Sequence, residues 1–411
     1  MNTRKKIILM LVCFFASIGV ACAYPNITEI NPNVMALMQE VSITNLEANI
    51  RYLQDLGTRW DQRPENAIAQ KWLFEHYKNA GLDVYLHHFL PKPDGDTTFE
   101  DMGNVVAVQV GTEFPDEYIM VSSHFDSAQD GGIVVCPGAN DDASGTSGVQ
   151  EIARILSKHK FKRSIVYVNF NHEEMGLSGS RAFVHYCKDN DINILGVFNL
   201  DMIGYSPIGK TLEMYCLLVK PADKNFINYY VNTSNLYQPE VPMEALGDGT
   251  GGIGAGDDIM FLSNGYSAAT YIGDALGMLG HIYSEPCYHR PCDTIGIGKD
   301  TAGVNSMELV RAYTQATLVA IAELANNGLT GIDDTQPNAR ITPNPTSGIL
   351  HVATNYDQPY TLAVYNYMGQ MLLQIDNFVD GELDLSVLPK GFYTIRFSTW
   401  KGGISQQIII R

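Results

Sequence analysis

The chain has 411 residues, 45% of them apolar, with 45 acidic against 27 basic side chains and a formal net charge of -18. That apolar content is enough for one large core or two smaller ones. The acidic field repels phosphate and anionic lipid, which excludes nucleic acid and membrane surfaces as expected partners and favours cations.

The first 23 residues carry Arg4, Lys5 and Lys6, then the apolar run Ile7 to Val20, then Ala21-Cys22-Ala23. This is the layout of a cleavable secretory signal peptide. Cys22 has a second reading as a lipoprotein cysteine, but Gly19 stands where a lipobox has Leu. The apolar run is too short to span a bilayer, and no later stretch reaches the necessary ~18 apolar residues, so no transmembrane segment is expected. Cleavage after Ala23 leaves Cys136, Cys187, Cys216, Cys287 and Cys292 in an oxidising compartment. Cys287 and Cys292, close together around His289, are the expected pair, although short loops of this kind also occur reduced.

Helical and strand patterns alternate from Asn45 to Gly328, the mark of an α/β fold with a parallel or mixed sheet between helices. Glu65 to Ala80 places Ala69, Trp72, Leu73, Tyr77 and Ala80 on one stripe and stops at Gly81. The apolar runs Val105 to Val110, Tyr118 to Val121, Ile165 to Phe170 and Ile194 to Leu200 predict buried strands. Val149, Ile152, Ala153 and Leu156 predict a crossover helix between the second and third. A Gly-rich loop spans Gly247 to Gly256, and a long helix from Ser306 to Asn327, stopped by Gly328, closes a domain of residues 24–330. Residues 331–338 have no periodicity and form an expected linker. Residues 339–411 hold five strand candidates and no helix pattern (Ile349 to Val352, Thr361 to Tyr365, Met371 to Ile375, Phe392 to Phe397 and Ile404 to Ile410), which predicts a small all-β sandwich.

Four polar clusters are expected at strand ends: His124, Asp141 with Asp142 in GANDDASG, Glu173 with Glu174, and Asp201; His289 comes later, in EPCYHRPCD. Open α/β sheets place their ligands at the carboxyl ends of strands. Each cluster alone has an ordinary explanation: a hydrogen-bonded histidine, turn chemistry, a solvated loop. Together they point to metal. Three carboxylates (Asp141, Glu174, Asp201) and one hydroxide balance two divalent cations, and mixed imidazole and carboxylate donors suit zinc better than magnesium or calcium. Glu173 is then free as a general base, since neighbours on an extended segment point to opposite sides.

The blocks SSHFDS, GANDDASG, NHEEMGLSGS, NLDMIGY and YHRPCDT resemble, in order and over roughly residues 45–328, the co-catalytic zinc aminopeptidases. That family also includes glutamate carboxypeptidase-like enzymes and, on the same fold, glutaminyl cyclases. The resemblance implies two zinc ions per chain, with Asp141 shared, His124 and Asp201 completing one site, and Glu174 and His289 the other. It further implies Glu173 as base, Asp126 as the partner that fixes the His124 tautomer, and a cis Asp141-Asp142 peptide. GDDIMFLSNGYSAATYIGD resembles the family's S-D-H-x-x-F block, but with Gly256 for Ser and Asp258 for His, a departure expected in the substrate-binding region. No H-E-x-x-H occurs, which excludes the single-zinc helix proteases.

The tail segments ITPNPTSGILHV, VYNYMGQMLLQ and LDLSVLPKGFYTIRF resemble the C-terminal sorting domain of type IX secretion substrates, with Pro343, Pro345, Gly369 and Gly391 at turns. An ordinary carbohydrate- or protein-binding sandwich is the alternative. The combined expectation is a peptide-cleaving zinc aminopeptidase, exported through the periplasm of a Gram-negative cell by type IX machinery to the surface or beyond. A glutaminyl cyclase and a non-catalytic surface binding module are the competing expectations.

Overall fold

The computed structural model describes residues 24–60, 63–89, 103–128, 135–206, 212–247, 256–272, 285–295, 303–327, 339–342, 346–354, 359–366, 370–399 and 402–411. The expected signal peptide, the linker at 331–338, the stop at Gly328, most of the Gly-rich loop, and the turns at Pro343, Pro345 and Gly369 lie outside them. Contacts divide the chain into two compact units, Tyr24–Leu329 and a second containing the C-terminal strands.

Three helices open the first unit: α1 (Pro32–Gln39), α2 (Ile43–Leu56) and α3 (Pro64–Asn79). The Asn31 and Ser42 side chains accept from Asn33 N and Asn45 N to cap α1 and α2, while α3 starts on a proline, whose missing N–H costs nothing there. Sequence periodicity missed α1 and α2. Next come β1 (Asp83–His88), β2 (Gly103–Gln109), β3 (Phe114–His124), α4 (Gly145–Leu156), β4 (Arg163–Phe170), α5 (Ser178–Asp189) and β5 (Asn193–Asp201). The unit ends with β6 (Met214–Leu217), α6 (Lys224–Tyr237), β7 (Met243–Leu246), α7 (Asp258–Ser263), β8 (Ala268–Ile272) and α8 (Met307–Asn327). Ser306 Oγ accepts from Leu309 N, 3.2 Å, at the start of α8.

The main sheet has the order β1-β2-β4-β3-β5-β8. Strands β3, β4, β5 and β8 run parallel, and β1 and β2 join antiparallel, so the sheet is mixed and mostly parallel. Alternate side chains feed two cores. Val105, Ala107, Ile119, Val121, Ile165 and Tyr167 pack with residues of α2, α3, α4, α6 and α8, while Val106, Met120, Val166, Val168 and Phe170 pack with α5 and α7. Burial on both faces is why these strands read as unbroken apolar runs. A separate parallel pair joins β6 to β7. Among the described residues no helix is long and apolar enough to cross a membrane.

The second unit contains two antiparallel sheets, β13 (Gly381–Asp384)-β10 (Ile349–Thr354)-β9 (Ala339–Thr342) and β12 (Met371–Phe378)-β11 (Tyr360–Asn366)-β14 (Gly391–Thr399)-β15 (Gly402–Ile410). Leu350, Val352, Leu362, Val364, Ile395, Phe397 and Ile408 form its core. Sequence pattern missed β9 and β13, each only four residues long and too short for alternation to register.

Helix α4 is tied to the N-terminal helices by Glu151, which is buried. Its carboxylate accepts from Ser42 N (2.8 Å), Asn45 Nδ2 (3.3 Å), and Arg154 Nε and an Arg154 terminal nitrogen (both 2.7 Å). Glu151→Ala strands these donors and is expected to lower stability by about 2–3 kcal/mol, read as a shifted urea midpoint with an unchanged slope.

Candidate metal centre

Strand β3 lies between β4 and β5. The chain leaves β3 through α4 toward β4, and leaves β5 in the opposite direction toward β8. Divergent connections open a crevice at the carboxyl ends of β3 and β5, the point where open α/β sheets bind ligands. His124 and Asp201 are the last residues of those two strands. Asp141 departs from the expected strand-end placement: it sits in the loop leading into α4, followed by a cis Asp141-Asp142 peptide. Glu173 and Glu174 follow β4, and His289 lies in the loop closed by a Cys287–Cys292 disulfide.

His124 Nε2 is 3.2 Å from Asp141 Oδ1 and 3.7 Å from Asp201 Oδ1. His289 Nε2 is 3.1 Å from Asp141 Oδ2 and 3.1 Å from Glu174 Oε2. Asp141 therefore turns one oxygen to each imidazole. Three overlapping groups of potential donors result, each with its atoms within 4.8 Å of one another: His124, Asp141 and Asp201; Asp141, Glu174 and His289; and His124, Glu173 and Glu174. All six residues fall in one place.

Asp126 tethers the cluster. Its carboxylate lies 3.5 Å from His124 Nδ1 and accepts from Glu173 N (3.3 Å) and Glu174 N (3.2 Å); the same Nδ1 is 3.2 Å from the Asp126 carbonyl. The two glutamates do not lie on the extended segment expected from sequence. His172 has φ 65°, and Gly176 N and Leu177 N both donate to Glu173 O, so the chain turns tightly here. The turn places both backbone N–H groups toward Asp126, an arrangement strand alternation cannot give.

The field of the cluster is cation-seeking. Burial works to lower His124, yet Asp126, Asp141 and Asp201 hold it well above the ordinary imidazole range. Burial likewise opposes Asp141 and Glu174 at His289, which is pushed up to about 10. Burial, with Asp257, Glu174 and Asp201 nearby, raises Glu173 well above the usual carboxylate range against the pull of His124. Burial and Asp141 push Glu174 up to about 7. A cluster in which burial penalises the charged carboxylates is one that a bound cation stabilises.

The donor set fits zinc. His289 Nε2, although 3.1 Å from two carboxylate oxygens, makes no hydrogen bond, and Glu174 Oε1 is buried without one, so both atoms are available to a cation. Imidazole nitrogen with carboxylate oxygen is a zinc donor set.

The structure gives roles to groups that the sequence reading left without one, Asp142 and Gly256 among them. The Asp142 carboxylate accepts from His124 N (3.2 Å), Gly145 N (2.8 Å) and Met202 N (3.2 Å), pinning the backbone on both sides of the crevice. A Cβ built on Gly256 meets Asp201 Oδ2 at 3.0 Å and Asp258 Oδ1 at 3.3 Å, so the departure expected in the substrate-binding region lies directly against Asp201. Burial, with Asp126 and Asp201 nearby, pushes Asp257 up to about 8. Arg59 and Asp293 flank the Asp141 loop; Asp293 falls within the YHRPCDT block, whereas nothing in the pattern around Arg59 marks it.

Residues 104–314 match Peptidase family M28, and residues 340–411 match the Secretion system C-terminal sorting domain. A probable zinc metalloprotease of Pyrenophora teres f. teres is 30% identical over 192 residues, covering 42% of this chain and 41% of the relative. Another, of Phaeosphaeria nodorum, is 31% identical over 203 residues, covering 42% and 41%. The chain thus spans about two fifths of the length of the curated relatives it matches. Among solved structures, the Legionella pneumophila LapA aminopeptidase superposes with a TM-score of 0.60 at 19% identity, over 74% of this chain and 77% of that one. The aminopeptidase from Aneurinibacillus sp. strain AM-1 gives 0.56 at 17% identity, over 73% and 98%. At these identities the likeness is one of fold.

Asp141 faces both imidazoles, with Oδ1 toward His124 and Oδ2 toward His289. Asp141→Ala, purified and dialysed beside the unmutated protein, is expected to retain at least about tenfold less zinc by elemental analysis. Equal zinc in the two proteins contradicts the shared role.

Proposed function

The chain belongs to peptidase family M28, and from that membership we propose that it is a zinc-dependent aminopeptidase removing N-terminal residues from peptides. The observation that carries the reading is the Asp141 carboxylate facing His124 with one oxygen and His289 with the other, with Glu173 beside them on the turn that Asp126 holds. His124, Asp141 and Asp201 would hold one zinc ion, and Asp141, Glu174 and His289 a second. When bound, the zinc pair supplies Lewis acidity toward the scissile carbonyl and toward the attacking water.

The protein's own groups do the rest. Glu173 takes the proton from the attacking water and delivers it to the leaving amine, a role suited to a half-buried carboxylate whose proton affinity is raised. Asp126 holds Glu173 and Glu174 by their backbone N–H groups and orients His124 through Nδ1. Strand ends and short turns carry the site, which keeps the base within reach of the water without reordering the chain. The names of the curated relatives and of the superposed aminopeptidases support this reading.

The match of residues 340–411 to a sorting domain supports export. We read residues 1–23 as a signal peptide, 24–330 as the peptidase domain, 331–338 as a linker and 339–411 as the address read by type IX machinery, with the enzyme leaving a Gram-negative cell by way of the periplasm.

Aminoacyl-nitroanilide hydrolysis, abolished by chelation and restored by zinc, tests the activity; no release with zinc supplied refutes it. Glu173→Gln is expected to keep wild-type zinc while kcat falls roughly 10³-fold, whereas zinc loss in this variant identifies Glu173 as a ligand instead. A protein ending at Gly331 is expected to hydrolyse substrate at a rate similar to full length but to stay in the periplasm of a type IX-competent host. Normal export of the truncated protein removes the sorting assignment.

A further inference from the structure

Five consecutive residues before α4, Pro137 to Asp141, are held by two buried residues remote from them in sequence, Arg59 through its guanidinium and Asp293 through its main-chain carbonyl and its carboxylate. Arg59 is fully buried, and its guanidinium donates to the carbonyls of Pro137, Gly138 (2.9 Å), Phe125 (2.8 Å) and Leu53 (3.1 Å). Asp293 is also fully buried and takes the next three amides in turn. Ala139 N donates to its carbonyl (3.2 Å), Asn140 N to Oδ1 (2.8 Å) and Asp141 N to Oδ2 (3.1 Å). The polarity of the loop is thus sorted, with acceptors toward the cation and donors toward the anion. Gly138 lets the chain pass between them: its φ is 57°, and a Cβ there would meet Asp141 O at 2.3 Å and an Arg59 terminal nitrogen at 2.9 Å.

Both side chains also reach the rest of the centre. The Phe125 carbonyl that Arg59 holds follows His124 directly, and Asp293 closes the loop that carries His289. Glu285, at the other end of that loop, accepts from Asn140 Nδ2 at 2.7 Å. We propose that Arg59 and Asp293 are positioning residues that clamp the backbone of residues 137–141 and so set the Asp141 carboxylate between its two histidines before any metal arrives. This rests on the reading of Asp141 as a shared zinc ligand. Neither residue belongs to the donor groups, and each acts through the peptide groups it holds. A carboxylate that must serve two cations at once tolerates little rotation, so a loosened loop weakens both sites together.

Amide exchange on the unmutated full-length protein tests the clamp without any substitution. The Ala139, Asn140 and Asp141 amides are expected to be protected in zinc-free and zinc-loaded protein alike, because Asp293 accepts them in both. Amides that exchange freely until zinc is added overturn the proposal. Asp293→Asn and Arg59→Lys supply the second measurement. Each is expected to weaken zinc binding per folded molecule by roughly 10- to 100-fold in competition with a chromophoric chelator, and to lower kcat with KM little changed. The double variant is expected to be about as weak as the poorer single one, since both act on one loop. Variants that only melt at lower temperature while binding zinc as tightly as wild type make the two residues merely structural and sink the idea. Should neither variant fold, the exchange experiment decides alone. Failure of the underlying reading shows separately, as an unmutated protein that binds no zinc or cleaves no substrate.

Discussion

One carboxylate, Asp141, faces two imidazoles, and much of the surrounding architecture follows from keeping it there. An aspartate has a short side chain, so dividing its oxygens between partners from distant parts of the chain fixes the backbone behind it. Asp142 holds the strand ends on either side, Asp126 holds the glutamate turn, and Asn140 is tied to Glu285. Each of these contacts is a side chain gripping a backbone group or an amide, not another ligand.

The arrangement costs electrostatic energy. Asp126, Asp141, Asp142, Asp201, Asp257, Asp258 and Asp293 are all buried, and only His124, His289 and Arg59 are cationic among the groups described around them. Removing one charge from water costs several kcal/mol after relaxation, so burial raises the proton affinity of Asp142, Asp201, Asp257, Asp258 and Asp293, and a divalent cation that shares the cluster relieves the same cost. Metal affinity and local stability are then two expressions of one free energy.

Residue pattern disclosed much of this and missed the rest for identifiable reasons. The buried strands were legible because burial on two faces leaves unbroken apolar runs, and α3 because its stripe ends at a glycine with φ 79°. The chemistry-bearing residues stood out by type and order, and the geometry brings His124, Asp141, Glu173, Glu174, Asp201 and His289 together. Helix α2 has a clear apolar face in Leu46, Ile50 and Leu53 and a local Ser42 cap, but Glu151, which accepts from Ser42 N, lies far along the chain. The turn at Glu173 is set by the Asp126 carboxylate and the left-handed backbone at His172, and neither leaves a periodic trace. Arg59 is the extreme case. A lone arginine in sequence reads as surface, and only the assembled carbonyls of Leu53, Phe125, Pro137 and Gly138 explain why it is inside.

The order of the sheet also bears on how the protein is made. Strand β3 is central, yet its neighbours β4 and β5 come later in the chain, and the loop at Ile295 reaches back to Gln54, whose Oε1 accepts from Ile295 N at 2.6 Å. Pairings between such distant residues raise the contact order and delay the closing stages of folding. Until the loop bearing His289 and Asp293 has been synthesised, the partial chain lacks one imidazole and the acceptor for three amides of the Asp141 loop. The donor group of Asp141, Glu174 and His289 is therefore completed only when this late loop folds back, whereas every donor of the group around His124 precedes it in the chain.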